Sequence, residues 1–277
     1  MTSSRLEAAR IRFALREAAE RGLEAREPAE VVKRALQKLG DRVAVSWSGG
    51  RCSTATLRLA LDLKPDVKVL YNNTGVEYPE TVSFVKELAS KWNLNLTVTK
   101  PKKSFWTCVE EYGFPQFRGK FRYKKQLGGS RLYSWSRGRP PCCYWLKEEP
   151  TKRYALQQSV LGLITGMRVA ESRVRMFGIG RRGQSYRDET MRLWKIHPIA
   201  YWSTERLQAY LDENGIPCNP LYARGMERIG CAPCTGFVGW REQLQEQNER
   251  MYRVVMRLRG EPTLWEYQDP CLAATGR

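Results

Sequence analysis

Two cysteine couples limit this chain more than any other feature: Cys142-Cys143, and Cys231 with Cys234 in the segment Arg228-Ile229-Gly230-Cys231-Ala232-Pro233-Cys234-Thr235. A Cys-x-x-Cys turn aims two sulfurs at one point, and a vicinal pair at a turn can supply two more, so any fold has to bring these distant segments together if they serve one metal centre. Zinc knuckles space their ligands two to four residues apart, which makes a directly adjacent pair awkward for a tetrahedron. A [4Fe-4S] cluster on Cys142, Cys143, Cys231 and Cys234 is therefore the expectation, and two couples of buried free thiols the alternative. Eight cysteines in 277 residues without a secretory signal indicate reduced thiols and not a disulfide scaffold. No run of eighteen apolar residues appears, so a cytoplasmic chain with no membrane span is expected.

Around the thiols lies an alternation of strand and helix. Ser4 and Glu7 read as a capping box for a helix over residues 4–21, and a second helix is expected from Pro28 to Leu39. Residues 43–47 read as a strand, followed by the turn Ser48-Gly49-Gly50-Arg51-Cys52-Ser53-Thr54 into a helix. A Gly-rich strand-to-helix turn points backbone N–H groups outward at the positive end of a helix, which suits a phosphate. Residues 67–71 and 95–99 continue as strands, with a helix over 81–92 between them. This pattern predicts an α/β fold, a parallel sheet with helices on both faces and ligands outside the C-terminal strand ends. The expected organisation is a helical N-terminal appendage over 1–40, a nucleotide domain with the thiol site over 41–240, and a C-terminal helix (240–259) and tail over 241–277.

The motifs as a set resemble the phosphoadenosine-phosphosulfate reductase superfamily of adenine-nucleotide enzymes with a PP-loop, of the adenine nucleotide alpha hydrolase-like fold. The turn from Ser48 to Ser53 resembles the pyrophosphate loop. Asn73-Thr74-Gly75, followed by Pro79-Glu80-Thr81, resembles the Asp-Thr-Gly segment. Cys142-Cys143, Thr165-Gly166-Met167-Arg168 with Glu171-Ser172, Lys195-Ile196-His197-Pro198, Asn214 to Tyr222, and Cys231 to Thr235 follow in family order. The resemblance implies nucleotide binding by Ser48, Gly49, Gly50, Arg51, Ser53, Thr54, Asn73, Thr74, Gly75, Gly166 and Arg168. The paired cysteines resemble those of the [4Fe-4S] adenylylsulfate reductases and of the ATP pyrophosphatases of DNA phosphorothioation.

Departures from the pattern shift the chemistry. Arg51-Cys52 replaces the usual Lys-Asp of the loop, and Asn73 replaces an Asp. Magnesium accompanying ATP needs hard oxygen ligands, which a thiol and an amide supply less well. The C-terminal Glu-Cys-Gly-Leu-His segment of sulfonucleotide reductases is also missing, and Cys271 is the one thiol near that end.

Lys and Arg number 47 against 29 acids, a formal charge of +18 that favours polyanionic partners. Residues 113–139 hold eight Lys or Arg, six aromatics and no acid. Cations interleaved with rings suit single-stranded nucleic acid, tRNA or DNA. Arg118, Lys120, Arg122, Tyr123, Lys124, Lys125 and Trp135, with Arg181 and Arg182 further on, are the expected contacts. The reading preferred from sequence is ATP-dependent sulfur transfer to nucleic acid with pyrophosphate release. The alternatives are a sulfonucleotide reductase that attacks adenylylsulfate with Cys271 and releases sulfite, and a non-catalytic nucleic-acid-binding iron-sulfur protein. A sulfur or electron donor protein and a homodimer are further expected partners. His197, before a proline, is assigned no chemistry.

Overall fold

A computed structural model describes residues 3–115 and 140–260. Of the expected site residues, Arg118, Lys120, Arg122, Tyr123, Lys124, Lys125, Trp135 and Cys271 lie outside the described residues. No helix among the described residues is long and apolar enough to cross a membrane.

The strand β1 (Val43–Trp47) is apolar on both faces, as a strand covered by helices on both sides has to be. Val43, Val45 and Trp47 point into one core with Leu57, Tyr71, Phe84 and Ile164. Ala44 points the other way, into a second core with Leu70, Tyr154 and Leu163. Burying a large apolar side chain such as Leu57 or Ile164 contributes roughly 1.5–3 kcal/mol. The sheet also contains β2 (Lys68–Asn72), β3 (Leu96–Thr99), β4 (Gly162–Thr165), β5 (Ser185–Asp188) and β6 (Leu193–Ile196), in the order β3-β2-β1-β4-β6-β5. All neighbours run parallel except β5 and β6. The expected parallel sheet stands, with one antiparallel edge strand. Only four residues separate β5 from β6, too few for the crossover that a parallel pair requires.

The helices α1 (Ser3–Ala19), α2 (Pro28–Leu39), α3 (Arg51–Leu63), α4 (Pro79–Lys91) and α5 (Phe105–Tyr112) precede the thiol couples. The segment 1–40, expected as an appendage, is not wholly peripheral, because Val31, Val32, Ala35 and Leu39 of α2 belong to the main core. The expected Ser4–Glu7 capping box is also corrected: the Glu7 carboxylate accepts hydrogen bonds from Thr204, far along the chain. The vicinal couple lies not at a turn but in α6 (Pro141–Cys143), which runs through a π-helical turn (Tyr144–Glu148) into α7 (Glu149–Gln157). Pro150 explains the widened turn. It has no N–H for the carbonyl of Leu146, and the Glu149 N–H reaches back to the Tyr144 carbonyl instead.

Beyond β4 come α8 (Arg173–Arg182), α9 (Thr204–Glu213), α10 (Trp240–Gln247) and α11 (Glu249–Arg259). The single helix expected over 240–259 is two. Asn248 leaves helical geometry, and its side chain caps α11 by accepting from the Met251 N–H at 3.0 Å.

His197 is fully buried, with Nδ1 2.7 Å from the Thr165 hydroxyl and Nε2 3.4 Å from the Tyr186 hydroxyl. Burial, with Lys195, Arg182 and Arg175 nearby, pushes its pKa from 6.5 down to about 3. The folded state thus holds the neutral ring while the unfolded chain protonates it. Its contribution is complete above the unfolded pKa of 6.5 and is lost as pH falls towards 3. Across that window the slope is about 1.4 kcal/mol per pH unit. The urea midpoint difference between wild type and His197→Gln should therefore shrink between neutral and acidic pH; a difference independent of pH would refute the assignment.

Candidate active site

The sheet order reverses between β1 and β4, where chain leaves in opposite directions and a crevice opens outside the carboxyl ends. A cleft of about 430 Å³ lies there, with a smaller cavity of about 190 Å³ continuing over the strand ends. Its floor is the loop after β1. Gly49, at φ +71, turns the chain against Val85 and Thr81 of α4, and α3 starts at Arg51. The Ser53 hydroxyl accepts from the Ser48 N–H at 3.2 Å and donates to the Gly50 carbonyl at 2.9 Å, so the loop is pinned from within.

The far wall is the segment after β4. A Cβ on Gly166 would lie 2.4 Å from the Cys52 carbonyl oxygen, so two stretches of backbone touch where the sheet order reverses. Arg168, only 6% exposed, extends along this wall. Its Nε donates to Cys52 Sγ at 3.3 Å and Nη1 to the Trp202 carbonyl at 3.1 Å. Arg51 stacks on the Tyr222 ring with 4.2 Å to its centroid, while the Tyr222 hydroxyl accepts from the Arg51 N–H.

Ser48, Gly50, Arg51, Ser53, Gly166 and Arg168 all line the cleft. Thr54 does not. Its hydroxyl accepts from the Trp47 indole N–H in the core at 3.0 Å and its N–H bonds the Gly50 carbonyl within α3. Asn73, Thr74 and Gly75 do not line it either. Asn73 closes its own turn on the Gly75 N–H, and Thr74 is buried against Cys231, whose Sγ is 3.6 Å from the Thr74 hydroxyl. Lys147, Arg175, Lys195 and Arg228 share the cleft with Arg51 and Arg168, although the sequence reading assigned none of them to the nucleotide site. Lys195 stood inside a motif, Lys147 lies one helical turn beyond Cys143, Arg228 heads the Cys231 segment and Arg175 lies in a basic stretch after Arg168, but nothing local placed them in one cleft.

Of the four carboxylates that line the cleft, Glu227 is exposed and the other three are engaged. Glu171 accepts from the Cys52 thiol at 3.7 Å and pairs with Arg175, Glu77 accepts from the Tyr71 hydroxyl, and Asp188 accepts from the Met191 N–H. Burial raises the Glu77 pKa, and burial together with Glu77 raises that of Tyr71. With three of the four engaged and a thiol at Cys52, the cleft offers few free hard oxygen ligands, so the donor set fits magnesium poorly.

At the cleft's other end, Arg228, Ile229 and Gly230 lead directly into Cys231. An antiparallel bridge joins Cys231 to Glu77, and the Ala232 N–H reaches the Val76 carbonyl at 2.7 Å, tying this loop to the chain after β2. Cys142, Cys143 and Cys231 pack in one cluster with Cys108. The Cys234 loop abuts the entry to α6, since a Cβ on Gly236 would lie 3.7 Å from Cys234 Sγ and 3.9 Å from Pro140 Cγ. A hydrogen bond from Cys142 holds the Cys143 pKa down, aided by Lys147 and Arg228. That bond, burial and the thiols of Cys143, Cys234 and Cys231 push Cys142 up. The four sulfurs are thus electrostatic neighbours, with Lys147 beside them. Among the described residues no three side chains surround one point as ligands of a single ion. In a cubane each thiolate holds its own iron, so its sulfurs spread around a larger body than one zinc ion presents.

A family model described as the phosphoadenosine phosphosulfate reductase domain matches residues 42–237. An uncharacterized protein of Methanocaldococcus jannaschii is 31% identical over 192 residues, covering 69% of this chain and 41% of that protein. The adenosine 5'-phosphosulfate reductase of Streptomyces coelicolor is 30% identical over 225 residues, covering 80% of this chain and 83% of that one. The chain spans 41% and 38% of the length of two Methanocaldococcus jannaschii relatives. A crystal structure of phosphoadenylyl-sulfate reductase from Candida auris, a phosphate complex, superposes with a TM-score of 0.54 at 21% identity, covering 74% of this chain and 88% of that one. That likeness concerns the fold.

Proposed function

Because the chain belongs to the phosphoadenosine phosphosulfate reductase family, we propose that it is a sulfonucleotide reductase acting on adenylylsulfate or its 3'-phosphorylated form. The observation carrying this reading is a single cleft lined both by the phosphate loop with Arg168 and by the segment entering Cys231. Backbone N–H groups at the start of α3 and the guanidinium of Arg168 hold the nucleotide phosphate. A thiolate, that of Cys271, attacks the sulfate sulfur. The sulfur–oxygen bond to the phosphate breaks, and AMP, or its 3'-phosphorylated form, departs with the electron pair. A thiol of a donor protein then attacks the Cys271 sulfur, which releases sulfite and leaves a disulfide. Cys142, Cys143, Cys231 and Cys234 would hold a [4Fe-4S] cluster, a polarisable charge beside the sulfate. The hydrogen bonds that occupy Glu77, Glu171 and Asp188, and the thiol at Cys52, support this over ATP cleavage, which magnesium accompanies.

With a dithiol reductant, adenylylsulfate should yield sulfite without added magnesium, and Cys271→Ser should stop release while nucleotide binding persists. Pyrophosphate released from ATP, with no sulfite, would instead establish the second reading, sulfur transfer to nucleic acid. One observation favours that alternative: Arg182 lies 3.8 Å over the Tyr186 ring and Arg181 5.5 Å from the Phe177 ring, guanidinium–aromatic pairs of the kind that meet bases and phosphates.

A further inference from the structure

Arg168 is a nearly buried cation that cannot shed its proton, so its charge has to be answered within the protein. Its side chain donates to a thiol, a carbonyl and a hydroxyl, none of which carries formal charge. That hydroxyl belongs to Thr204, the first residue of α9, and receives Nη1 at 3.4 Å and Nη2 at 3.3 Å. Two carboxylates stand one bond further out: Glu171 beyond the Cys52 thiol at 3.7 Å, already paired with Arg175, and Glu7 beyond the Thr204 hydroxyl by the shorter bond. Glu7 Oε1 accepts from the Thr204 hydroxyl at 2.7 Å, and Glu7 Oε2 from the Thr204 N–H at 3.1 Å. A hydroxyl has one proton, and with that proton given to Glu7 its lone pairs face the guanidinium. The direction of every bond is thereby set: Arg168 donates to Thr204, and Thr204 donates to Glu7.

Glu7 does not reach Thr204 by chance of a flexible side chain. Its helix α1 packs against α8 so closely that a Cβ on Gly180 would lie 3.1 Å from the Ala14 Cα. Arg10 adds a second tie, from Nη1 to the Ala170 carbonyl at 2.5 Å, two residues beyond Arg168. Both anchors set Glu7 before any nucleotide arrives.

We infer that Glu7 is a positioning residue of the nucleotide site, acting through Thr204 to fix the orientation of Arg168 and, alongside Glu171, to balance its charge. The N-terminal helix then completes the binding site that the family match, residues 42–237, does not reach. This inference rests on the nucleotide reading above, in which Arg168 meets phosphate. A guanidinium held in its binding orientation loses little entropy when the anion arrives. With the relay cut, the same side chain has to be ordered at the cost of affinity.

The experiment is AMP binding by calorimetry on the full chain, together with thermal melting, for Glu7→Gln, Thr204→Val and Thr204→Ser, each alone and with Arg168→Ala. Losing one hydrogen bond of a charged network should weaken AMP about tenfold in Glu7→Gln and Thr204→Val. Thr204→Ser keeps the hydroxyl and should bind as wild type does. In the Arg168→Ala background Glu7→Gln should change nothing further, because the two act as a unit. A merely structural role predicts lower melting temperatures with unchanged affinity, or the same loss with and without Arg168, and either result overturns the inference. Should wild type itself bind neither AMP nor adenylylsulfate, the nucleotide reading fails and the inference with it. Tight binding by wild type and Thr204→Val alike would sink the relay alone.

Discussion

Gly166→Ala is expected to abolish adenine-nucleotide binding, a loss of at least about a hundredfold, and to cost roughly 1–3 kcal/mol of stability as an overpacking substitution. The added Cβ would lie 2.4 Å from the Cys52 carbonyl oxygen, 2.5 Å from its carbon and 2.7 Å from the Ser53 nitrogen. These are backbone atoms of the phosphate loop, so no flexible side chain can swing away. The strain is steric and not conformational, since Gly166 is not among the glycines of positive φ. Relief requires that β4 and the start of α3 separate, which moves Ser53 and Arg168 apart and misaligns the donors that converge on phosphate. Calorimetric titration with AMP and a urea melt measure the two effects. Affinity within threefold of wild type would show that the phosphate does not depend on this contact.

Anaerobically purified protein is expected to be brown, with about four irons per chain, and Cys142→Ser or Cys234→Ser to remove most of both. A serine oxygen is harder and less readily deprotonated than a thiolate, so one iron is left poorly held. Cys218→Ser should leave the iron in place, because Cys218 packs in a separate cluster with Ile199, Trp202 and Leu207. Cys108→Ser should keep it as well. That thiol belongs to neither couple: it sits on α5, buried in the core with Phe105, Val109 and Leu146, as a small apolar residue would be. Colourless protein with one zinc per chain would overturn the cluster assignment and leave a structural knuckle beside the cleft. Iron analysis and the visible spectrum decide between them.

The local features of this chain were legible one segment at a time. The apolar stretch from Val43 to Trp47 read as a strand, and the Gly49-Gly50 turn before Arg51 as the entry to a helix, because these features depend on neighbouring residues and backbone sterics. The motif order was enough to identify the family and its mostly parallel sheet. Contacts between distant segments left no such trace. Nothing near Glu7 announces Thr204, and its spacing from Ser4 suggested a cap that the helix does not use. Nothing near Asn73, Thr74 and Gly75 tells that this loop packs against Cys231. The cations Arg175 and Arg228 became cleft residues only when α8 and the Cys231 loop packed around the ends of β1 and β4. A side chain's hydrogen-bond partner and electrostatic surroundings are set by whatever packing brings within a few ångströms. Sequence periodicity determines which face of an element is buried, and only the assembled tertiary structure decides what that face meets.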